Sequence, residues 1–321
     1  MKLGKHSSSI AYYDRSLYLA YYEGPHEGWD QQVVVKKKSY PGGEWKRVWT
    51  FKGGTGNPVL FTYKKSLYMT NTIFRPEMAD VMHVGKLWAN TDMEMRVLAV
   101  DGAEIHINGK PPYDIYPYIG CRCAPLIIND RCFLPCYDET LGHGVILEVI
   151  QQEAWKPHLI RKWVFTNEGP MIQPTLFPTL DGTIAMYCRN FAYPMHKGQK
   201  AIYGKYRKGY DVWDIGYGTI ENYNNSILAI PRNNKDGGIE RPWIVYNKDP
   251  ERSKLVLKDS KNEEWKISSL DEYASYPNYC TTPDGIVHIC FTAYGEKRFV
   301  NNNIKIVQLD GDCGIVQAEY V

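Results

Sequence analysis

One pattern recurs six times along the chain: a small polar residue or proline, a short apolar run, a polar turn and a second apolar run. The copies open with Ser9-Ile10-Ala11-Tyr12, Pro58-Val59-Leu60-Phe61, Pro125-Leu126-Ile127-Ile128, Pro174-Thr175-Leu176-Phe177, Ser226-Ile227-Leu228-Ala229 and Pro277-Asn278-Tyr279-Cys280. Successive copies start 49, 67, 49, 52 and 51 residues apart. Regular hairpins at a period of about 50 residues predict a β-propeller, in which each hairpin supplies the two inner strands of a blade. The outer strands are announced by a Trp after a polar turn, at Trp45, Trp155, Trp213 and Trp265. A β-sandwich also has short strands and regular turns, but six copies at this spacing favour the ring. The expectation is an all-β, six-bladed propeller occupying residues 1–321 as one domain, with a late strand such as Ile304-Lys305-Ile306-Val307 pairing into a blade.

Composition narrows the function. Lys and Arg number 38 against 36 Asp and Glu, a formal charge of +2, so there is no basic footprint for nucleic acid or an anionic membrane. No apolar stretch is long enough to span a bilayer. The opening Met1-Lys2-Leu3-Gly4-Lys5-His6 has no apolar core of a secretory signal, and the expected location is cytoplasmic or virion-associated. Tyr is abundant, 25 residues beside 9 Trp and 9 Phe, which suits half-wet sugar-binding surfaces. The eight Cys sit mostly in apolar runs and read as buried free thiols. Cys121, Cys123, Cys132 and Cys136 flank one hairpin, but their spacing falls outside the usual zinc patterns; no metal and no cofactor is expected. His288 reads as a core residue and Lys36-Lys37-Lys38 as a solvated blade edge.

In a propeller the inner strands converge on one channel, so the repeat predicts which residues meet. The residues before the repeat starts are Ser8, Asn57, Ala124, Gln173, Asn225 and Tyr276; those ending the second strands include Glu23, Asn71, Asp138-Glu139, Arg189-Asn190, Asn247 and Tyr294. Most are polar although their flanks are apolar, which is costly unless the side chains are paired or used.

Several segments carry a resemblance. They are His6-Ser7-Ser8-Ser9-Ile10 through Glu27-Gly28-Trp29-Asp30, Asn57-Pro58-Val59-Leu60-Phe61, Leu134 to Glu139, Ile172-Gln173-Pro174-Thr175-Leu176 with Cys188-Arg189-Asn190, and Ser275-Tyr276-Pro277 with Asp284-Gly285-Ile286-Val287-His288. In this order and spacing the chain resembles the sialidase superfamily, in its divergent neuraminidase-like branch. The Asp-box turns of that family survive only as fragments, such as Gly43-Glu44-Trp45 and Glu263-Glu264-Trp265. The resemblance implies an Asp acid/base, a Tyr nucleophile relieved of its proton by a Glu, and three Arg on the substrate carboxylate. Carried over, these are Asp30, Tyr276, and Arg189 with Arg252 for two of the three Arg. A planar guanidinium grips a carboxylate through two bonds, and a neutral phenol avoids repulsion by an anionic sugar.

Two positions depart from the family. His6 stands where an Arg is implied, and Gln173 where the activating Glu is implied; an amide cannot take a proton. Glu139 is the candidate replacement carboxylate, with Glu23 and Asn225 as further substrate-binding candidates. The leading expectation is a sialidase-like glycoside hydrolase acting on a terminal acidic sugar of a glycan. The alternatives are a non-catalytic glycan-binding propeller of a virion or surface, and a uronate-specific polysaccharide lyase using His6, Tyr276 and Arg189. Nothing in the sequence requires or excludes an oligomer.

Overall fold

The computed structural model describes residues 4–78, 84–104, 114–153, 156–166, 169–192, 199–207, 209–234, 236–268, 272–294, 302–311 and 313–321. They form six antiparallel sheets in a six-bladed β-propeller. Blade 1 runs Gly4–Tyr13, Ser16–Gly24, Gln32–Ser39 and Lys46–Phe51. Blade 2 has inner strands Thr55–Tyr63 and Ser66–Phe74, then Thr91–Val100, whose outer edge pairs with Ala103–Glu104 and Asp114–Pro117. In blade 3 the innermost strand is broken: Gly120–Cys121 and Leu126–Ile128 both pair with Arg131–Asp138, followed by His143–Glu153 and Lys156–Phe165. Blade 4 is Met171–Pro178, Ile184–Asn190, Lys200–Arg207 and Val212–Glu221. Blade 5 is Leu228–Asn233, Ile239–Asn247, Leu255–Lys258 and Glu264–Lys266; blade 6 is Tyr273–Thr281, Val287–Tyr294, Asn303–Leu309 and Ile315–Tyr320. The repeat therefore maps onto inner hairpins, and Trp45, Trp213 and Trp265 stand at or beside the outermost strands; Trp155 lies outside the described residues.

Alternation along each strand gives a sheet two apolar faces, and each face packs on a neighbouring blade. Six buried clusters fill the junctions, among them Val59, Met95 and Val97 against Cys132, Leu134 and Leu147 between blades 2 and 3. The last junction closes the ring: Ile10, Leu17, Leu19 and Val34 of blade 1 pack on Cys290, Ile304 and Ile306 of blade 6. Lys5 adds a polar tie across it, its Nζ donating to the Val321 carbonyl at 2.7 Å and to Asn303 Oδ1 at 3.1 Å. Among the described residues no strand is exchanged between the first and last blades; each sheet is built from consecutive strands.

The innermost strands share one irregularity. In blades 1, 2, 4 and 6 the register slips at His6/Ser9, Gly56/Val59, Ile172/Thr175 and Ser275/Asn278. At each slip one residue has a left-handed backbone: Ser7 (φ 55), Asn57 (φ 42), Gln173 (φ 52) and Tyr276 (φ 55). A bulge leaves a residue unpaired and re-aims its side chain. The prolines that open three repeats, Pro58, Pro174 and Pro277, sit inside these bulges, where a missing N–H breaks no ladder bond.

His288 is fully buried at the blade 6 edge of the closing junction, its ring edge-on to Tyr40 at 5.4 Å. Burial, reinforced by Lys38 and opposed by Asp284 and Glu319, pushes its pKa down to about 4. The unfolded chain protonates this residue near 6.5, so below that pH it binds a proton that the folded chain refuses. The stability His288 contributes is intact above pH 6.5 and drains away between 6.5 and about 4, a loss of about 3 kcal/mol at roughly 1.4 kcal/mol per unit. In His288→Phe, urea unfolding across this range shows a shallower acid dependence; a slope equal to that of the parent protein would contradict the assignment.

Candidate functional site

The bulges bring polar side chains to one belt around the channel. Thr292 Oγ1 of blade 6 accepts from the Ser7 amide at 2.9 Å, and Ser7 Oγ donates to Asn57 Oδ1 at 2.6 Å. Asn57 Nδ2 donates to the Tyr137 hydroxyl of blade 3 at 3.2 Å. Gln173 of blade 4 also hydrogen-bonds Tyr137, and Ser226 Oγ, leading into blade 5, donates to Gln173 Oε1 at 2.7 Å. The hydrogen-bonded chain thus passes through all six blades and satisfies groups that water cannot reach.

Three guanidinium groups gather around Tyr276. Arg122, only 1% exposed, comes from the break in the innermost strand of blade 3. It donates to the carbonyls of Ser8 at 3.4 Å and of Tyr276, tying bulged residues of blades 1 and 6, and its guanidinium lies 5.2 Å from the Tyr276 ring. Arg189, at the end of the second strand of blade 4, donates through Nε to Asn224 Oδ1 at 2.7 Å and through Nη1 to Gln173 Oε1 at 3.3 Å. Arg252 donates through Nε to Asn225 Oδ1 and lies 5.5 Å from the Tyr276 ring, to which it also hydrogen-bonds. Burial works against the charge on Arg189, and the neighbouring Arg252 adds to that. Such a gathering of cations is expensive unless an anion completes it.

Two carboxyl groups and a histidine complete the constellation. Glu27, in the connection after the second strand of blade 1, accepts from the Tyr22 hydroxyl at 2.8 Å and hydrogen-bonds Trp88. Its Oε1 is 3.4 Å from His6 Nε2. Burial raises the Glu27 pKa, against the pull of those hydrogen bonds and of Arg252. Burial raises the Glu139 pKa too; Arg189 opposes the rise and Glu27 adds to it. His6 is held neutral, its pKa driven well below 6.5 by burial, Arg122 and Arg252. Its ring meets Tyr276 edge-on at 4.8 Å and Tyr22 edge-on at 5.3 Å, and stacks on Tyr294 at 6.1 Å. Cations, aromatic rings and two carboxyl groups therefore meet in one site.

The sequence candidates fall into two groups. His6, Gln173, Glu139, Arg189, Arg252 and Tyr276 share this constellation. Asp30 does not enter it: its side chain is exposed, and among the described residues it makes no hydrogen bond or ion pair. Glu27, three residues earlier in the same connection, is the carboxyl turned inward. Glu23 is also placed elsewhere. Successive side chains on a strand point to opposite faces, so Tyr22 meets His6 while Glu23 Oε1 takes Arg47 at 2.9 Å and Gln32 at 3.0 Å. Asn225 orients Arg252 rather than lining open space. At the first and third repeats the residues turned into the belt are Ser7 and Arg122 instead of Ser8 and Ala124. The sequence reading also passed over Tyr22, Tyr137 and Asn224. Arg122 had a signal, a lone charge inside the apolar run Ile119-Gly120-Cys121-Arg122-Cys123.

The thiols around Arg122 are spoken for. Cys121 Sγ donates to the Cys123 and Pro135 carbonyls, both at 3.5 Å, and Cys123 Sγ to the Ile227 carbonyl at 3.8 Å. Burial pushes the Cys123 thiol up to about 12, away from the thiolate a metal needs. Among the described residues no group of three His, Cys, Asp or Glu could hold a metal ion, and no helix is long and apolar enough to cross a membrane.

Residues 14–289 match the model of the BNR repeat-like domain. No curated protein matches the chain. Among solved structures, the intramolecular trans-sialidase of Ruminococcus gnavus superposes with a TM-score of 0.69 at 10% identity, covering 98% of this chain and 96% of that one. A protein of unknown function from Dyadobacter fermentans gives 0.66 at 13% identity, with 95% and 94% covered. Trypanosoma rangeli sialidase, solved with sialic acid, gives 0.65 at 11%, covering 94% of this chain and 53% of that one. At these identities the likeness is one of fold.

Proposed function

The chain belongs to the BNR repeat-like domain family, and from that premise we propose that it is a sialidase-like glycoside hydrolase acting on a terminal acidic sugar of a glycan. The observation that carries this reading is the meeting of Arg122, Arg189 and Arg252 around Tyr276, beside two carboxyl groups with raised pKa values. Arg189 and Arg252 hold the sugar carboxylate. Arg122 fixes the Tyr276 backbone and adds to the positive field. The aromatic wall of His6, Tyr22 and Tyr294 takes the apolar face of the ring. In the family's chemistry Tyr276 attacks the anomeric carbon and an acid on the connection after blade 1's second strand protonates the leaving oxygen. Asp30 was the sequence candidate for that acid; Glu27, inward-facing and with its proton retained to higher pH, suits the role better.

The test is release of fluorophore from aryl glycosides of N-acetylneuraminic acid, glucuronic acid and galactose. Turnover of an acidic glycoside and none of the neutral one is the expected result, lost in Arg252→Met. Gln173 favours a second reading, since its amide, engaged by Arg189, Ser226 and Tyr137, cannot activate Tyr276. Saturable binding of the free acidic sugars with no cleavage after long incubation would establish a glycan-binding propeller instead. Ultraviolet-absorbing unsaturated products from uronate polymers would establish a lyase. No binding and no cleavage would overturn all three.

A further inference from the structure

Successive repeats start 49 to 52 residues apart, except the second and third, which start 67 apart. Part of that surplus follows the second strand of blade 2, where the chain forms the short helix Val84–Ala89 before it rejoins the sheet at Thr91. A helix of six residues does not persist by itself, and this one is held from outside through the carbonyls of its last turn. Asn90 Nδ2 donates to the Lys86 carbonyl at 2.9 Å and Thr91 Oγ1 to the Trp88 carbonyl at 3.2 Å. Thr140 Oγ1, just past the second strand of blade 3, donates to the Ala89 carbonyl.

This anchoring aims Trp88. Its ring meets Phe74 edge-on at 5.0 Å and lies 6.0 Å from Tyr22. Its indole N–H, the one donor it has, hydrogen-bonds the Glu27 carboxyl. The backbone of blade 2 leaves room for the ring: a Cβ on Gly56 would stand 2.6 Å from Trp88 Cη2 and 2.5 Å from Gln31 Nε2. Gln31 in turn closes the connection that carries Glu27. Its amide donates to the Gly28 carbonyl at 3.2 Å, its Oε1 accepts from the Gly28 amide at 3.2 Å, and its Nε2 donates to the Thr55 carbonyl of blade 2 at 2.8 Å. The Glu27 carboxyl is therefore held from two blades, by Tyr22 on its own at 2.8 Å and by Trp88 on the next. One hydrogen bond lets a carboxyl pivot; a second from a different blade fixes its plane.

We propose that Trp88 is a positioning residue for Glu27, its indole N–H fixing the carboxyl beside His6 so that the proton is presented to the leaving oxygen. The inference rests on the hydrolase reading above, in which Glu27 is the acid. Tyr22 and Trp88 donate to the carboxyl and Arg252 attracts it, all favouring the anion, while burial opposes them and prevails. His6 beside it is neutral, and Glu139 feels its charge. Removing the Trp88 N–H alone takes away a donor to the anion, so the acid keeps its proton to higher pH. Removing the whole ring admits water and relieves the burial, which acts in the opposite direction.

The deciding measurement is the pH dependence of kcat for Trp88→Phe and Trp88→Ala, on whichever acidic aryl glycoside the panel shows to be cleaved. In Trp88→Phe the plateau falls by about 10- to 10²-fold, the cost of a misplaced reacting group, and the alkaline decline moves to higher pH. In Trp88→Ala the alkaline decline moves to lower pH. Gly56→Ala, which displaces the ring and keeps the indole, loses kcat as Trp88→Phe does; thermal midpoints report that the three variants fold. A plateau and alkaline decline at the parent's positions in both Trp88→Phe and Gly56→Ala would overturn the proposal and leave the hydrolase reading standing. If no acidic glycoside is cleaved, the hydrolase reading fails, and the contact is read instead from the carboxyl carbon-13 signal of Glu27, assigned by its loss in Glu27→Gln. A titration midpoint raised in Trp88→Phe then keeps Trp88 as the holder of Glu27, and an unchanged midpoint overturns it.

Discussion

Arg189→Met is expected to leave a folded protein that no longer holds an acidic sugar. The Arg189 side chain is buried, fixed by Asn224 through Nε and by Gln173 through Nη1. Those bonds fix the guanidinium, so it needs no reordering to bind a ligand. A preorganised bidentate contact with a carboxylate is worth about 3 to 4 kcal/mol, so affinity for N-acetylneuraminic or glucuronic acid falls by about 10²- to 10³-fold. Arg189→Lys restores little, because a point charge cannot serve Asn224, Gln173 and a carboxylate together. Arg189→Met also frees Glu139 from the cation that favours its anion, so the Glu139 pKa climbs further. Isothermal titration of the parent protein and both variants with the two acids and with galactose checks this. Equal affinity of parent and Arg189→Met for the acids would refute the clamp.

The contrast between Arg189 and Asp30 shows how far the sequence reached. Arg189 ends an inner strand, and a strand end at a known phase of a repeat has its position fixed by the ring; the hairpins were legible because six copies repeat one alternation. Asp30 and Glu27 share a connection whose path no periodicity dictates, and spacing alone could not say which carboxyl turns inward. Glu23 failed for a different reason: it sits on a strand, but on the face opposite Tyr22, and it is the bulge at Ser7 in the neighbouring strand that decides which of the two faces meets His6. Bulges shift side chains between faces, and single-chain alternation does not register them. The one local trace was the proline after Asn57, Gln173 and Tyr276, since a residue lacking an N–H belongs where the ladder is interrupted. Arg122 escaped because its run was read for thiols. A guanidinium in an apolar segment is the more telling residue, as burying it requires acceptors, and it finds them on two other blades.

The belt ties the blades together, and Asn57 is where it can be cut most cleanly. The Asn57 side chain accepts from Ser7 and donates to Tyr137, joining blades 1, 2 and 3, and its backbone is left-handed at φ 42. Asn tolerates that conformation because its side chain is short and polar; a β-branched residue does not. Asn57→Val therefore adds strain of about 1 to 2 kcal/mol and leaves two buried hydroxyls short of a partner, at about 1 to 3 kcal/mol each. Asn57→Gly removes the same two bonds but relieves the strain. Urea unfolding is expected to show Asn57→Val less stable by about 3 to 8 kcal/mol on those terms, with Asn57→Gly between it and the parent. The gap between the two variants measures the bulge conformation, and the gap between Gly and parent measures the hydrogen-bonded belt. Since Tyr137 also binds Gln173, and Gln173 binds Arg189, loosening at Asn57 should weaken the binding of acidic sugar although residue 57 touches no guanidinium. Both variants unfolding within about 0.5 kcal/mol of the parent, the spread of ordinary surface substitutions, would show that the ring is held by its blade-to-blade apolar clusters alone.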